Sequence, residues 1–408
     1  MSSTHVESLS TAVPALEARR VVQVYRRAPI VVTHGRGTYL YDSEGREYLD
    51  LISGVGVASL GHANPELARI VAEQAGTLLH SSNLFFHPYQ GQLADRLATM
   101  SGLDRTFFCN SGTEGMEACL KFARRYWYSA GEKGRTRVVA LEGAFHGRTM
   151  GSLSVTADPH YRDPFAPLLA DVTFVPANDV GAIEAAITAD TAAIVLEGIQ
   201  GEGGVRPLTP AFAAAVQAAC DRSGALLICD EVQCGLGRTG HPFFFPVLGL
   251  RPQLVAIGKA LGAGIPIGAA LVAEDVARRI DFGDHGSTYG GNLLACRAGL
   301  YFVGQLLDGG LLAHVVRVGA HLEARLLDLP RTHAMVRDVR GRGLMRGIDL
   351  DGPAAPVVDA ARSRGLLVNG TARSVVRMLP PLTISEQEID QAIDRLEAAL
   401  AEVAGAPR

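Results

Sequence analysis

Two apolar runs of the sequence each end at a residue that can do chemistry. Residues 253–258 lead to Lys259, and residues 225–229 lead to Asp230. A lysine at the tip of a buried strand is poorly hydrated, so it can lose its proton and act as a nucleophile that forms a Schiff base. A carboxylate at the tip of a nearby strand can pair with a protonated pyridine nitrogen. Together they suggest pyridoxal phosphate, but on this pair alone a solvated loop lysine is the commoner case.

Further motifs surround this pair and carry a family resemblance. They are Asn-Ser-Gly-Thr-Glu at 110–114, Phe-His-Gly-Arg-Thr at 145–149, Asp-Glu-Val-Gln at 230–233 and Gly-Ser-Thr-Tyr-Gly-Gly-Asn at 286–292. In this order they resemble the class III, or ω-amino, aminotransferases, which use pyridoxal 5'-phosphate. The resemblance extends from residues 37–42 to 377–382, and residues 82–86 with the compact length are most similar to acetylornithine-specific members. It implies Lys259 and Asp230 as catalytic residues.

Residues 110–114 join a predicted strand to a predicted helix. Free N–H groups at a helix start, together with the hydroxyls of Ser111 and Thr113, suit a phosphate dianion. An ordinary helix N-cap has the same sequence pattern and is commoner. The resemblance assigns Gly112 and Thr113 to the cofactor phosphate, and we expect Ser111 beside them.

The segment 145–149 places an aromatic ring near a cation. A ring at that place can stack on a pyridine, and a guanidinium can bind a carboxylate through two hydrogen bonds. A core phenylalanine beside a surface arginine fits the sequence equally well. In the resembled family, the residue matching Phe145 covers the cofactor ring and the one matching Arg148 binds the substrate's distal carboxylate.

The segment 230–233 is expected to contact the cofactor ring. Asp230 would keep the ring nitrogen protonated, Gln233 would hydrogen-bond the phenolic oxygen, and Glu231 and Val232 complete the expected cofactor contacts. Two adjacent carboxylates could instead bind a metal. No HExxH or other histidine cluster accompanies them, so we expect no metal site.

Residues 235–240 fit the pattern GxGxxG, which invites a dinucleotide interpretation. The context does not fit. Pro242 and the run 243–246 prevent a helix from starting there, and no acidic residue lies at the distance expected of a ribose ligand. We interpret the segment as a turn-rich loop beside the site.

Ser287 and Thr288 lie in a glycine-rich loop that could be a plain flexible connection. In the resembled family, the matching threonine reaches the phosphate held by the other subunit, and the serine lies beside the substrate. The resemblance therefore implies a homodimer with shared active sites.

An enzyme that uses both glutamate and an ω-amine must bring different carbon atoms to one reaction centre. In the resembled family, the arginine matching Arg377 binds the α-carboxylate of glutamate. In the other half-reaction the glutamate matching Glu202 neutralises that arginine, while Arg148 holds the far carboxylate of either substrate. The resemblance thus implies a substrate site formed by Arg148, Glu202, Ser287 and Arg377.

Val55 bears on the choice of substrate. Ornithine-specific members place a tyrosine there to receive a free α-amino group, and an aliphatic side chain suits an acylated amine better. The expected reaction moves the δ-amino group of N2-acetyl-L-ornithine to 2-oxoglutarate, as in arginine biosynthesis. The alternatives are a 4-aminobutyrate or ornithine aminotransferase, glutamate-1-semialdehyde aminomutase, and a non-catalytic regulator that binds pyridoxal phosphate.

Composition limits the partners. The chain has 408 residues, 48% hydrophobic and 20% charged, as globular proteins do. A net charge of −4 with scattered Lys and Arg argues against nucleic acid or anionic membrane as a partner. The six cysteines form no CxxC pair, and no signal peptide or membrane segment is recognisable, so we expect a cytoplasmic enzyme with small-molecule substrates.

From residue 105 onward, β-rich runs alternate with helical patterns, which favours an α/β fold with a mostly parallel sheet covered by helices. Ligands of such sheets bind at the carboxyl ends of the strands. The resemblance implies fold type I of the pyridoxal-phosphate-dependent transferases. The expected division is a small-domain segment at 1–60, a large cofactor-binding domain at 61–292 and a C-terminal small domain at 293–408. Predicted strands are 105–109, 137–141, 172–175, 192–196, 225–229 and 253–257, and predicted helices are 114–128, 180–187, 210–223 and 386–403.

Overall fold

The computed structural model describes residues 8–405. Its helices are α1 (Leu9–Arg20), α2 (Ser53–Gly56), α3 (Pro65–Thr77), α4 (Gln90–Ser101), α5 (Gly112–Ser129), α6 (Met150–Ser154), α7 (Pro159–Arg162), α8 (Val180–Ala186), α9 (Pro210–Ser223), α10 (Glu274–Ala277), α11 (Leu293–Leu307), α12 (Leu311–Leu327), α13 (Leu329–Thr332), α14 (Ala355–Ser363) and α15 (Glu386–Gly405). Short 3-10 helices cover Asp163–Phe165, Phe245–Leu248 and Lys259–Gly262.

The strands are β1 (Val32–Arg36), β2 (Tyr39–Asp42), β3 (Glu47–Asp50), β4 (Arg105–Cys109), β5 (Arg137–Leu141), β6 (Val172–Val175), β7 (Thr191–Glu197), β8 (Ile199–Gln200), β9 (Arg206–Pro207), β10 (Leu226–Asp230), β11 (Leu254–Ile257), β12 (Gly268–Val272), β13 (Val336–Arg342), β14 (Met345–Leu350), β15 (Leu366–Leu367), β16 (Asn369–Thr371) and β17 (Val375–Met378).

Seven strands form the large sheet, in the order β4-β12-β11-β10-β7-β5-β6. Pairing is parallel from β11 to β6, which confirms the predicted mostly parallel sheet. β12, which was not predicted, runs antiparallel to both β11 and β4. Every residue of β7, β10, β11 and β12 is buried, as expected of strands covered on both faces.

Helix α5 shows how the sequence positions the site. Ser111 caps its first turn, and the predicted apolar face of Met116, Leu120, Ala123 and Trp127 is buried. The helix therefore packs along the sheet with its N-terminus at the strand ends. The predicted helix 114–128 is confirmed, and the observed one is longer at both ends.

The N-terminal strands join the C-terminal part of the chain. β1, β2 and β3 form a sheet with β15, which pairs with β3 in parallel. A second small sheet has the order β13-β14-β17-β16 and includes the strand that carries Arg377. This pairing is consistent with the division at residues 60 and 292, which stays a prediction.

No single helix between residues 8 and 405 is both long and apolar enough to cross a bilayer. The pair Leu293–Leu307 and Leu311–Thr332 reaches that length and composition together, but it is bent by 63°.

Candidate active site

Lys259 begins a 3-10 helix directly after β11 and Gly258. Its φ is 42°, in the left-handed region, which costs a residue with a side chain about 1–3 kcal/mol. Burial lowers the pKa of the Lys259 ammonium, and the charge of Arg377 lowers it further against the opposing carboxylates of the site. Lys259 therefore loses its proton more readily than a lysine in water, as a nucleophile must.

Asp230 ends β10 and pairs with a buried histidine. Its Oδ2 accepts a hydrogen bond from Nδ1 of His146 at 2.8 Å, and its Oδ1 accepts one from the main-chain N–H of Val232 at 3.0 Å. Because an ionised carboxylate only accepts hydrogen bonds, Nδ1 carries the proton. Burial opposes the charge on His146, but the hydrogen bond and the negative charges of Asp230 and Glu197 outweigh it and raise the pKa of the imidazole.

Glu197 ends β7 and lies in register with Asp230. Its Oε1 accepts a hydrogen bond from the N–H of Phe145, and its Oε2 accepts one from the N–H of Gly201, both at 3.0 Å. Burial raises the pKa of Glu197 to about 7. One buried carboxylate thus joins the segment of Phe145 to the turn that precedes Glu202.

The start of α5 suits an anion. Among residues 8–405, the main-chain N–H groups of Gly112 and Thr113 have no hydrogen-bond partner, because amides in the first turn of a helix have no carbonyl one turn before them. The Ser111 hydroxyl accepts the N–H of Glu114 instead. The Thr113 hydroxyl lies 2.7 Å from that of Ser152 and 3.0 Å from that of Thr149. Two free amides and a cluster of hydroxyls can all donate to a phosphate.

Glycines allow the start of α5 to approach the end of β11. A Cβ on Gly112 would lie 2.6 Å from Cγ1 of Val232, and a Cβ on Gly258 would lie 3.0 Å from Cα of Gly112. A side chain at either position would therefore force the helix start away from the strand tip that carries Lys259. The structure brings the predicted phosphate site and the predicted lysine together.

Gln233 and Glu231 point to different partners. Oε1 of Gln233 accepts a hydrogen bond from Nη1 of Arg377 at 3.1 Å. The carboxylate of Glu231 accepts main-chain hydrogen bonds from Phe244 and Phe245, so it anchors that loop. A contact of Glu231 with the cofactor stays a prediction, because its carboxylate oxygens already accept hydrogen bonds from the loop.

Glu231 leads to a prediction about stability. Burial raises the pKa of Glu231 from 4.5 to about 7, so between these values the folded protein keeps a proton that the unfolded chain has lost. The free energy of unfolding therefore falls as pH rises through this window, by up to about 1.4 kcal/mol per pH unit for this group. Glu231→Gln removes that term, so its Tm relative to the wild type should rise between pH 5 and pH 7.5. A constant Tm difference across this range would contradict the assignment.

Arg377 and Glu202 form an ion pair at the side of the site. Nη1 of Arg377 donates to Oε1 of Glu202 at 2.6 Å, and its Nε donates to Oδ1 of Asn369 at 3.3 Å. Arg377 is 1% exposed. Burial opposes ionisation of Glu202, but Arg377 outweighs it and lowers the pKa of that carboxyl. Both charges act on the pKa of Lys259, so the pair lies close to the reacting group.

Arg148 lies on aromatic rings at the surface. Its guanidinium carbon is 3.7 Å from the centroid of Tyr161 and 5.5 Å from that of Phe145. Both aromatic rings line a cavity of about 1410 Å³ that Glu202 also lines. Within the described part of the chain Arg148 has no ion-pair partner, so its guanidinium is free to bind an anion.

Ser287 lies beside Asn110, and Thr288 follows it in the same loop. Oγ of Ser287 accepts hydrogen bonds from Nδ2 of Asn110 at 3.3 Å and from the N–H of Gly290 at 2.9 Å. Thr288 is exposed and lines a separate cavity of about 400 Å³ with Ser287 and Asn110. Their predicted roles in a partner's site stay predictions.

Comparison with known proteins gives the family. The model of the family described as Aminotransferase class-III matches residues 21–400. The chain belongs to the class III aminotransferases. It is 45% identical over 403 residues to the mitochondrial acetylornithine aminotransferase of Alnus glutinosa (97% of this chain, 89% of the relative) and 40% identical over 388 residues to that of Methanocaldococcus jannaschii (95% and 98%). A solved ornithine aminotransferase from Toxoplasma gondii, described with partial occupancy of PLP at its active site, superposes with a TM-score of 0.93 at 31% identity, covering 97% of this chain and 95% of that one.

This aminotransferase is a fold-type I enzyme that uses pyridoxal 5'-phosphate and acts on small molecules. The residues present fit the cofactor, because free amides at Gly112 and Thr113 face the strand tips where a buried carboxylate and a lysine of lowered pKa lie. We propose that Gly112 and Thr113 hold the phosphate, Asp230 the ring nitrogen and Lys259 the aldehyde carbon.

Sequence reasoning missed two buried residues of the site. His146 lies in the motif 145–149 with no role predicted for it, and Glu197 directly follows the predicted strand 192–196 with none either. A signal existed in each case, since a histidine beside Phe145 and a carboxylate ending an apolar strand are costly to bury without a partner. Which partner each one meets depends on the order of strands in the sheet.

Proposed function

We propose that this aminotransferase moves the δ-amino group of N2-acetyl-L-ornithine to 2-oxoglutarate, producing N-acetyl-L-glutamate 5-semialdehyde and L-glutamate in arginine biosynthesis. The observation that carries the proposal is the Glu202–Arg377 ion pair beside Lys259. The curated relatives that are 40% to 45% identical and named acetylornithine aminotransferases support it.

Each residue of the site has a separate role in the proposed reaction. Bound pyridoxal phosphate supplies an aldehyde that takes up the amino group and a ring that accepts electrons. Lys259 would serve as the nucleophile that holds the aldehyde carbon, and it would then take and return the proton at the substrate carbon. Asp230, held by His146, would keep the ring nitrogen protonated. Phe145 would cover the ring, and Gln233 would hydrogen-bond its phenolic oxygen.

The ion pair lets one site serve two substrates. Glutamate presents an α-carboxylate beside its reacting amine, so it needs Arg377 free. The δ-amine of acetylornithine has no carboxylate next to it, so Glu202 stays on Arg377 and keeps the charge compensated. Arg148 holds the far carboxylate in both cases. We call this arrangement the Glu202–Arg377 switch.

Val55 favours an acylated amine. It packs against an apolar cluster that includes Ile199, Val375 and Leu379, on the side of the site where Arg377 lies. A free α-amino cation next to this cluster would lose water without gaining an acceptor, whereas an amide loses less. The relation to ornithine aminotransferase therefore extends to the fold without implying the same substrate.

Substrate preference can be measured directly. With 2-oxoglutarate as acceptor, we expect kcat/KM for N-acetylornithine to exceed those for ornithine and 4-aminobutyrate by about tenfold or more, as one unpaired buried charge would cause. A preference for ornithine or 4-aminobutyrate would replace the proposal with that alternative. Turnover of glutamate 1-semialdehyde without added 2-oxoglutarate would point to the aminomutase.

Separating the two half-reactions tests the switch. Arg377→Ala removes a charged hydrogen bond worth about 1.5–3 kcal/mol, so kcat/KM for glutamate should fall by about one to two orders of magnitude while acetylornithine changes less. Glu202→Ala should impair acetylornithine and spare glutamate. Single-turnover rates of each half-reaction check both variants, and Arg377→Lys, which keeps the charge, should fall between Arg377→Ala and the wild type. Equal losses in both directions would reject the switch.

A homodimer is part of the proposal. Phe85 is 67% exposed and Tyr289 is 62% exposed, while Phe86 and Phe282 are fully exposed. Apolar rings of this size in water mark a surface that another protein covers. We infer that a second copy covers them and that Thr288, next to Tyr289, reaches the partner's phosphate site.

A cytoplasmic location fits the cysteines. All six are buried and free, and burial raises the pKa of Cys109, Cys220 and Cys296 to about 12. Such thiols are unreactive core residues, as expected of a protein that folds in a reducing compartment.

A further inference from the structure

Glu197 lies between two parts of the site. Its carboxylate accepts the N–H of Phe145 and that of Gly201, each at 3.0 Å, and the residue is 5% exposed. Phe145 is followed by His146, which holds Asp230, and Gly201 is followed by Glu202. The two hydrogen bonds therefore connect the carboxylate at the ring nitrogen to the Glu202–Arg377 switch.

The turn at residues 201–204 is held from two sides. From the sheet β13-β14-β17-β16, the Thr371 hydroxyl donates to the carbonyl of Glu202 at 2.6 Å, and Nε of Arg340 donates to the carbonyl of Gly204 at 2.8 Å. From the large sheet, Glu197 holds the N–H of Gly201. Loss of the Glu197 contact would leave Gly201 free to move relative to the large sheet.

Gly201 also packs against Gln233, the second acceptor of Nη1 of Arg377. A Cβ on Gly201 would lie 2.2 Å from Oε1 of Gln233, and that oxygen accepts a hydrogen bond from Arg377 at 3.1 Å. Movement of Gly201 therefore disturbs Gln233 as well as Glu202. The position of one main-chain amide therefore affects both acceptors of Nη1 of Arg377, Glu202 and Gln233.

We propose that Glu197 is a positioning residue for the switch: it fixes the turn 201–204 against the segment of Phe145 and His146, so that Glu202 meets Arg377 when an ω-amine is bound. This inference rests on the proposed function, since it uses the two-substrate switch. Glu197 acts through Gly201 and Glu202 rather than on the substrate.

The two acceptor oxygens of the Glu197 carboxylate make the inference testable. Both partners of Glu197 are N–H donors, so two acceptor oxygens are needed. Glu197→Gln keeps the size but turns one oxygen into a donor, which leaves one amide without an acceptor. We expect the acetylornithine half-reaction to slow by about tenfold, the effect of one lost hydrogen bond, and the glutamate half-reaction by about twofold or less.

The experiment measures single-turnover rates of the holoenzyme with N-acetylornithine and with glutamate, and the readout is their ratio. Asp42→Asn is a matched control, because Asp42 is also buried and accepts main-chain hydrogen bonds, from Glu44 and Arg46, but lies outside the proposed site. The control should change both rates by the same factor. If Glu197→Gln loses the cofactor, Glu197→Asp, which keeps two oxygens but withdraws them by one methylene, should shift the ratio in the same direction.

A double variant separates positioning from general damage. If Glu197 acts through Glu202, adding Glu197→Gln to Glu202→Ala should leave the ratio at the value of Glu202→Ala alone. If Glu202→Ala shifts the ratio and neither Glu197 variant does, this inference is wrong while the proposed function stands. If Glu202→Ala itself leaves the ratio unchanged, the switch and this inference are both overturned.

Discussion

Replacing Lys259 with alanine should lower kcat by at least about 10³-fold, because it removes both the nucleophile and the proton carrier, and a positioned general base alone contributes about 10²–10⁴-fold. Cofactor content should fall much less, since the substitution leaves the proposed phosphate contacts at Gly112 and Thr113 in place. Turnover with N-acetylornithine and 2-oxoglutarate, and bound pyridoxal phosphate per chain after gel filtration, measure the two effects separately.

A surface lysine provides the control for that variant. Lys133 is exposed and lies over the ring of Tyr128, away from the strand ends. Lys133→Ala should keep kcat within about twofold of the wild type, as surface substitutions do. Ordinary turnover in Lys259→Ala would show that Lys259 takes no part in the reaction.

Replacing Asp230 with alanine is the second large effect we expect. It removes the charge that we propose holds a proton on the ring nitrogen, and it leaves Nδ1 of His146 buried without an acceptor. We expect kcat to fall by about 10²-fold or more, because an unprotonated ring is a poor electron acceptor. Cofactor content should again be retained better than kcat, measured on the same protein sample.

Asp230→Asn distinguishes the charge from the shape. Asparagine keeps an oxygen that can accept from His146 but carries no negative charge. If the charge matters, Asp230→Asn should be nearly as slow as Asp230→Ala with a Tm close to the wild type. Near-normal kcat in the asparagine variant would show that the ring-nitrogen role is wrong.

Much of the fold follows from local patterns. The strands predicted at 105–109, 137–141 and 172–175 and the helix at 210–223 match the observed bounds. In these segments the apolar residues repeat with one dominant period, and the helix has a clear N-cap in Thr209 before Pro210. β12 was missed because its apolar run lies in a glycine-rich stretch. Its antiparallel pairing with β4 joins residues that lie far apart in sequence.

The sequence predicted which site residues lie at strand ends, but it did not predict which side chains contact one another. Asp230 and Lys259 each follow an apolar run, and parallel strands bring such positions to one edge. The contacts that His146 and Glu197 make near Asp230 were not predictable, because they depend on the order of strands in the sheet. That order places β7, which ends at Glu197, beside β10, which ends at Asp230, and not beside β11. The stacking of Arg148 on Tyr161 likewise joins separate segments.

We propose that one site takes an amino group from N-acetylornithine and gives it to 2-oxoglutarate through Lys259. The most direct test follows the visible absorption of the bound cofactor in the purified protein. Addition of N-acetylornithine alone should bleach that band within a single turnover, and subsequent addition of 2-oxoglutarate should restore it and release glutamate. A band that N-acetylornithine leaves unchanged, while ornithine or 4-aminobutyrate bleaches it, would contradict the account.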